Sequence, residues 1–239
     1  MKILLIILSI IPFISNSQVI VDTTLFIKQS GDTVKVVTYR NAMNVGKLYI
    51  VIVGTSNDAG TVATVSLSGT GQTWDEISSA GGVVNGGNRK RIQAFRFSPS
   101  STNTNTISIT YTGTQDGGWV QLYEIGGVDV SGTNGVNAIV QSNVGSANSA
   151  DPTLTLSALQ LRASVLFAVI NGTNPFGGTP ESGWTESIDA GYATPNTGGY
   201  IMYRTNTSDN TPTVTMSSDN WAGFAIEFKA SFRRIIITN

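Results

Sequence analysis

Along the chain, apolar positions fall into two kinds of short run. Residues 48–53 and 165–170 are continuously apolar, the pattern of central strands covered on both faces. Residues 107–111 and 213–216 instead alternate apolar with Ser or Thr, the pattern of strands with one wet face. Between such runs lie turn clusters, among them Gly81-Gly82, Asn85-Gly86-Gly87-Asn88, Asp116-Gly117-Gly118 and Gly198-Gly199. No stretch carries the spacing of an amphipathic helix. The pattern predicts an all-β protein, an antiparallel β-sandwich of jelly-roll or Ig-like type.

The pattern occurs twice. An apolar strand ending in Gly-Thr-Ser-Asn (residues 54–57) precedes Trp74-Asp75-Glu76-Ile77, and one ending in Gly-Thr-Asn (residues 172–174) precedes Trp184-Thr185-Glu186-Ser187-Ile188. Each copy continues through an arginine-bearing aromatic strand and a Thr/Asn-rich stretch to a second tryptophan, Trp119 or Trp221. Upstream, residues 19–36 match 136–156, an edge strand followed by an Asp-led strand. The copies run over residues 18–127 and 128–230. Units of roughly one hundred residues are too long for blades or solenoid coils and suit sandwiches of about seven or eight strands. With no Pro- or Ser-rich linker at Gly126-Gly127, the two duplicated halves are expected to pack closely.

Two terminal segments fall outside the repeat. Residues 1–17 hold Lys2, an apolar run from Ile3 to Ile14 and Ser15-Asn16-Ser17, the three parts of a signal peptide with cleavage expected before Gln18. That run is too short for a span of about twenty residues, so the mature chain is expected to be exported and not membrane-spanning. Residues 231–239 form a C-terminal strand or tail. Its Phe232 and Ile235 to Ile237 favour β pairing, on the chain's own sheet or in self-association with a neighbour.

Charge narrows the partners. With 14 basic against 15 acidic residues and only 12% of positions charged, the clustered excess of Lys and Arg that nucleic acid requires is missing. The run Arg89-Lys90-Arg91 reads as a solvated strand start. The chain has no cysteine and no histidine, which removes disulfides, thiol nucleophiles, Ser-His-Asp catalysis and His- or Cys-based zinc sites.

What remains is carboxylate and aromatic chemistry. Asp75, Glu76, Glu124, Glu186 and Glu227 are the carboxylates that a glycosidase pair would draw on. Glu76 and Glu186, however, occupy matching places in the copies, whereas an acid/base pair needs unlike environments. No catalytic residue is assigned, and the chain is expected not to be an enzyme. Trp74 and Trp184 follow glycine-containing turns and, with Tyr192, are the candidate ligand-contacting residues. Packing competes with that role for both indoles, and Trp119 and Trp221 read as core fillers. Loop oxygens at Asn57-Asp58, Asp116, Asp209 and Asp219 leave calcium open but lack the spacing of a calcium loop. No cofactor and no metal site is expected.

Three motifs carry a resemblance: Gly71-Gln72-Thr73-Trp74 after an apolar strand, the junction from Glu124 to Asp129, and the closing run from Trp221 to Phe228. They resemble exported β-sandwich repeat proteins of bacteria and their phages. The resemblance implies surface or particle-associated modules and brings no catalytic residues. Together these readings predict a secreted module, extracellular or at the cell surface, for attachment to a glycan or a surface protein. The alternatives are a coat or particle-decoration subunit and a polysaccharide-acting enzyme.

Overall fold

The computed structural model describes residues 19–28, 34–38, 42–57, 62–85, 88–102, 104–194 and 196–231. The signal segment 1–17, residues 232–239 of the tail, Asp58 and the Gly86-Gly87 turn lie outside the described residues.

The first half contains β1 (Val19–Lys28), β2 (Val34–Thr38), β3 (Leu48–Asn57), β4 (Val65–Gly69), β5 (Gln72–Thr73), β6 (Asp75–Asn85), β7 (Asn88–Phe97), β8 (Thr106–Tyr111) and β9 (Gly117–Gly126). Its pairings nest. β1 pairs with β9, β2 with β8, β3 with β7 and β4 with β5, all antiparallel. A long hairpin rolled up on itself gives this jelly-roll order. Two sheets result, β1-β9-β3-β7-β6 and β2-β8-β4-β5. One strand interrupted at Trp74 serves both, with β5 in the smaller sheet and β6 in the larger.

A 3₁₀ segment (Thr133–Ala138) leads into the second half: β10 (Ile139–Ser149), β11 (Ala163–Asn171), β12 (Thr179–Pro180), β13 (Thr185–Tyr192), β14 (Thr197–Thr207), β15 (Val214–Thr215) and β16 (Asp219–Phe228). Its large sheet, β10-β16-β11-β14-β13, repeats the first strand for strand. Even the irregularities match: β6 shifts register between Glu76 and Ser78, and β13 between Glu186 and Ile188. The smaller sheet survives as the β12–β15 pair and a bridge between Thr153 and Thr213.

The two large sheets stack face to face, β6 lying over β10 and β16, and β13 over β1 and β9. Burial therefore divides into three layers. The central layer draws Leu48, Ile50, Ile52, Tyr123 and Ile125 from one half and Leu166, Ala168, Ile170, Phe224 and Ile226 from the other. The outer layers lie within each half. Tyr49, Val51 and Val53 pack under Ile107, Ile109 and Tyr111, and Val165, Phe167 and Val169 pack under Leu154, Leu156, Val214 and Met216. This is why β3 and β11 are continuously apolar over residues 48–53 and 165–170: those stretches are buried on both faces.

Trp119 wedges the centre. Its indole lies against Gly54 of its own sheet and Gly199 of the facing one, and a Cβ on either glycine would overlap the ring. Trp221 does not share this role. It stands opposite Asn171 and turns into the outer layer of the second half, so the two tryptophans matched in sequence face opposite ways. A one-residue difference in strand parity is enough to do this. The same alternation corrects the reading of Lys90 as solvated: it lies two residues before inward-facing Ile92 and is fully buried, while Arg89 is exposed.

Gly199→Ala is expected to lower stability by about 1–3 kcal/mol through overpacking against Trp119, read as a lower urea midpoint. Gly113→Ala, where an added methyl meets nothing within 4 Å, leaves the midpoint unchanged.

Candidate functional site

The three candidate ligand-contacting residues do not come together. Trp74 is half-buried beside the outer layer of the first half, its ring 5.3 Å from that of Phe97, and Nε1 donates to Gln72 Oε1 at 3.0 Å. Gln72 is itself fixed, its amide donating to Thr104 O and Thr106 O. Trp184 occupies the matching place in the other half but is only 7% exposed, and Nε1 donates to Asp209 Oδ2 at 2.9 Å. With its faces packed and its N–H satisfied, it offers no stacking surface for a sugar ring. Tyr192 is partly buried at the end of β13, opposite Thr197. None of the described tryptophans and tyrosines is exposed.

The five carboxylates are likewise held apart. Asp75 pairs with Arg96 at 3.1 Å and accepts from Asn134 Nδ2 at 3.1 Å. Glu124 is held by Lys47 and Tyr49, and Glu186 by the Tyr200 hydroxyl. Glu227 is fully buried, accepting from Gln141 Nε2 at 2.6 Å and the Gln160 N–H at 2.7 Å. Glu76 is exposed on β6. Burial of Tyr200, with Glu186 beside it, pushes its hydroxyl far above the usual tyrosine range.

One carboxyl pair does form, and sequence reasoning missed it. Glu181 and Asp209 are electrostatic neighbours at the outer layer of the second half, beside Trp184 and Arg204. Burial raises Glu181, and neighbouring Asp209 adds to that effect. Burial also pushes Asp209 up, but hydrogen bonds from Trp184 Nε1 and the Thr211 N–H, with Arg204 nearby, outweigh it and leave the carboxyl below its ordinary value. Twenty-eight positions separate the two residues in sequence, so no motif signals the pair.

Two concavities exist near these residues. A cleft of about 450 Å3 lies at the seam between the halves, lined by Gly71, Thr73, Phe97, Ser98, Gly132 and Asn134 among others. Its edge is fixed across the seam by the Asn134–Asp75 bond and by Gly135, where a Cβ would press on Leu48 and Ser98. The second, about 650 Å3, is an open groove between residues 158–162 and 206–210, beside the exposed Leu161. Neither gathers the carboxylates. Of the loop carboxylates considered for calcium, Asp219 accepts from the Gly172 N–H and Thr173 Oγ1, and Asp209 from Trp184 Nε1 and the Thr211 N–H. No group of three or more His, Cys, Asp or Glu that could hold a metal ion is found among the described residues. No helix among them is long and apolar enough to cross a membrane.

The outer sheet faces differ from all of this. On β8 the residues between Ile107, Ile109 and Tyr111 are Thr106, Ser108, Thr110 and, just past the strand, Thr112. On β4 they are Ser66 and Ser68, preceded by Thr64. Register sets them side by side: Thr110 faces Ser66, Ser108 faces Ser68, and Ser68 faces Thr73. The second half repeats the arrangement around β15, with Thr153 and Thr155 alternating with Leu154 and Leu156, and Thr211, Thr213 and Thr215 alternating with Pro212 and Val214. Thr153 and Thr213 are hydrogen-bonded at 2.9 Å, as Thr64 and Thr112 are at 3.4 Å. The backbone positions that bear these hydroxyls repeat at about 4.8 Å across strands and roughly 6.7 Å along them. These outward positions carry no charge; Asp151 and Glu181 only border the second face.

Comparison with known protein families, curated proteins and solved structures finds no match.

Two predictions follow from these environments. Because the fold raises Glu181, the protonated form stabilises it. That contribution is complete below the unfolded carboxyl pKa and is lost as pH rises through the folded one. Glu181→Gln should therefore raise the melting temperature at pH 7–8, with the gain vanishing on acidification. In iodide quenching, Trp74 is the one indole of the four that is not buried, so Trp74→Phe should abolish the quenchable fraction of the emission.

Proposed function

We propose that this chain is a secreted, non-enzymatic attachment module that recognises a neutral glycan through the hydroxyl-bearing outer faces of its jelly rolls. The observation that carries the reading is the Ser/Thr ladder at outward positions of both outer layers, centred on Ser68, Ser108 and Thr110 and on Thr153, Thr213 and Thr215. A hydroxyl both donates and accepts, so a regular array of them suits a polymer that presents hydroxyls and acetamido groups. An uncharged face neither attracts nor desolvates ionic groups, which favours a neutral ligand over an anionic one. A surface protein, the other partner considered, would usually be met by aromatic anchors, and none of the described tryptophans and tyrosines is exposed.

The non-enzymatic part of the reading is supported by the separate engagement of Asp75, Glu124, Glu186 and Glu227 by different partners. Export is supported by the composition of residues 1–17. A coat or decoration subunit is the second reading, favoured by the long open edge β10, where Val144 is exposed. Ordered arrays of the native protein in electron micrographs would establish it.

Passed over cellulose, chitin, dextran, heparin and polygalacturonate, the protein is expected to be retained by at least one neutral matrix and by neither charged one. Replacing both Ser68 and Thr110 with Glu, together with both Thr155 and Thr215, should reduce retention at least tenfold without lowering the urea midpoint by more than about 1 kcal/mol in stability, since these positions are exposed. No retention on any neutral matrix contradicts the reading.

A further inference from the structure

Burial at the centre of the molecule fixes where the two hydroxyl ladders point. The large sheets face each other, so each smaller layer lies on the far side of its own half. In order through the molecule come the Ser68–Ser108–Thr110 face, the first large sheet, the second large sheet and the Thr155–Thr213–Thr215 face. Stacked sheets lie about 10 Å apart, so three spacings separate the faces by roughly 30 Å. They are directed away from each other.

From this arrangement we infer that the protein is a cross-linker: each molecule engages two separate chains or layers of neutral polysaccharide, one on each outer face. The inference rests on the glycan reading above and adds its geometry. Two sites on the same side of a molecule would give avidity on one surface. Two sites directed apart and joined by a packed core cannot reach a single flat surface together, because no flexible linker joins the halves. The junction is tied down instead. Val128 bridges to Ala230, the Asp129 N–H donates to Lys229 O, the Ser231 N–H donates to Gly127 O, and Lys229 pairs with Asp129 at 2.9 Å. Tyr123 of the first half and Ser187 of the second lock the seam further, their hydroxyls 2.7 Å apart.

The duplication has a chemical consequence on this reading. One jelly roll would leave the apolar side of its large sheet bare, whereas a second copy covers it and adds an opposite binding face. The faces are not identical: the first is a continuous four-stranded sheet, and the second is built of two short strands and a bridge. The second face is therefore expected to bind more weakly, having fewer strands in register.

The test uses the full chain with particles of cellulose, chitin and dextran. Wild-type protein is expected to be retained by at least one and to cluster its particles, read as turbidity and by microscopy. Ser68→Glu with Thr110→Glu, or Thr155→Glu with Thr215→Glu, should each leave retention on that matrix through the remaining face and abolish clustering. Thr205→Glu, at an exposed position on β14, is the surface control and should cluster normally. Retention without clustering overturns the cross-linking inference and leaves the glycan reading standing, as does clustering that persists when either face is changed. Absence of retention on all three overturns both. Shaping of ice crystals by the wild type, lost in the face variants and unaccompanied by polysaccharide retention, would assign the ladders to a water lattice and overturn both as well.

Discussion

The rest of the structure depends on the apposition of two large sheets whose inner faces have no other cover. β3 is buried from Leu48 to Ser56 and β11 along its whole length, and a strand of that kind is stable only with a layer on each side. Each half supplies one layer from its own chain, through β2, β4, β5 and β8 in the first and β12 and β15 in the second. The other layer has to be the opposite half. Trp119 shows how close the fit is, since its indole occupies space that only glycine leaves open on both sheets, at Gly54 and Gly199. With no cysteine, no disulfide reinforces this contact.

From that constraint comes the distribution of polar chemistry. The centre takes the large apolar side chains, and the outer layers take Tyr111, Trp184 and Trp221, leaving none of the described tryptophans and tyrosines exposed. What meets water on the broad faces is the other half of the period-two alternation, and on β4, on β8 and around β15 the chain uses serine and threonine there, while β2 adds the exposed Val36 opposite Ser108. Apart from the buried Lys90 and Glu227, charged residues lie largely outside the cores, as in the Arg96–Asp75 and Lys229–Asp129 pairs, which are partly exposed and contribute little to stability. Across the seam, the Asn134–Asp75 and Tyr123–Ser187 hydrogen bonds tie one half to the other.

Much of this was legible in sequence because alternation is a local signal. The all-β class, the two copies and the continuous apolar character of β3 and β11 all follow from periodicity alone. The repeated hydroxyls were equally visible, in Thr106-Ile107-Ser108-Ile109-Thr110 and Thr211-Pro212-Thr213-Val214-Thr215, although periodicity marks them only as wet. The unread features needed strand pairing. Trp119 and Trp221 occupy similar places in the pattern, yet a shift of one residue against the neighbouring strand sends one inward and the other outward. Lys90 belongs to a basic run by composition and to the inner face by parity. The Glu181–Asp209 contact depends on two loops that meet only when β12 and β15 pair. Trp74 and Trp184 were correctly matched to each other, but exposure, which decides whether an indole is a platform, is set by packing from strands distant in sequence.

The central claim is that the two jelly rolls form one cooperative body. Native-state hydrogen exchange measures this directly, with amides of β3 (residues 48–53) and β11 (residues 165–170) followed across increasing sub-denaturing urea. The shared core predicts that both sets converge on one opening free energy, equal to that of global unfolding. If either half exchanged fully while the other stayed protected, the halves would be independent and the account would be contradicted.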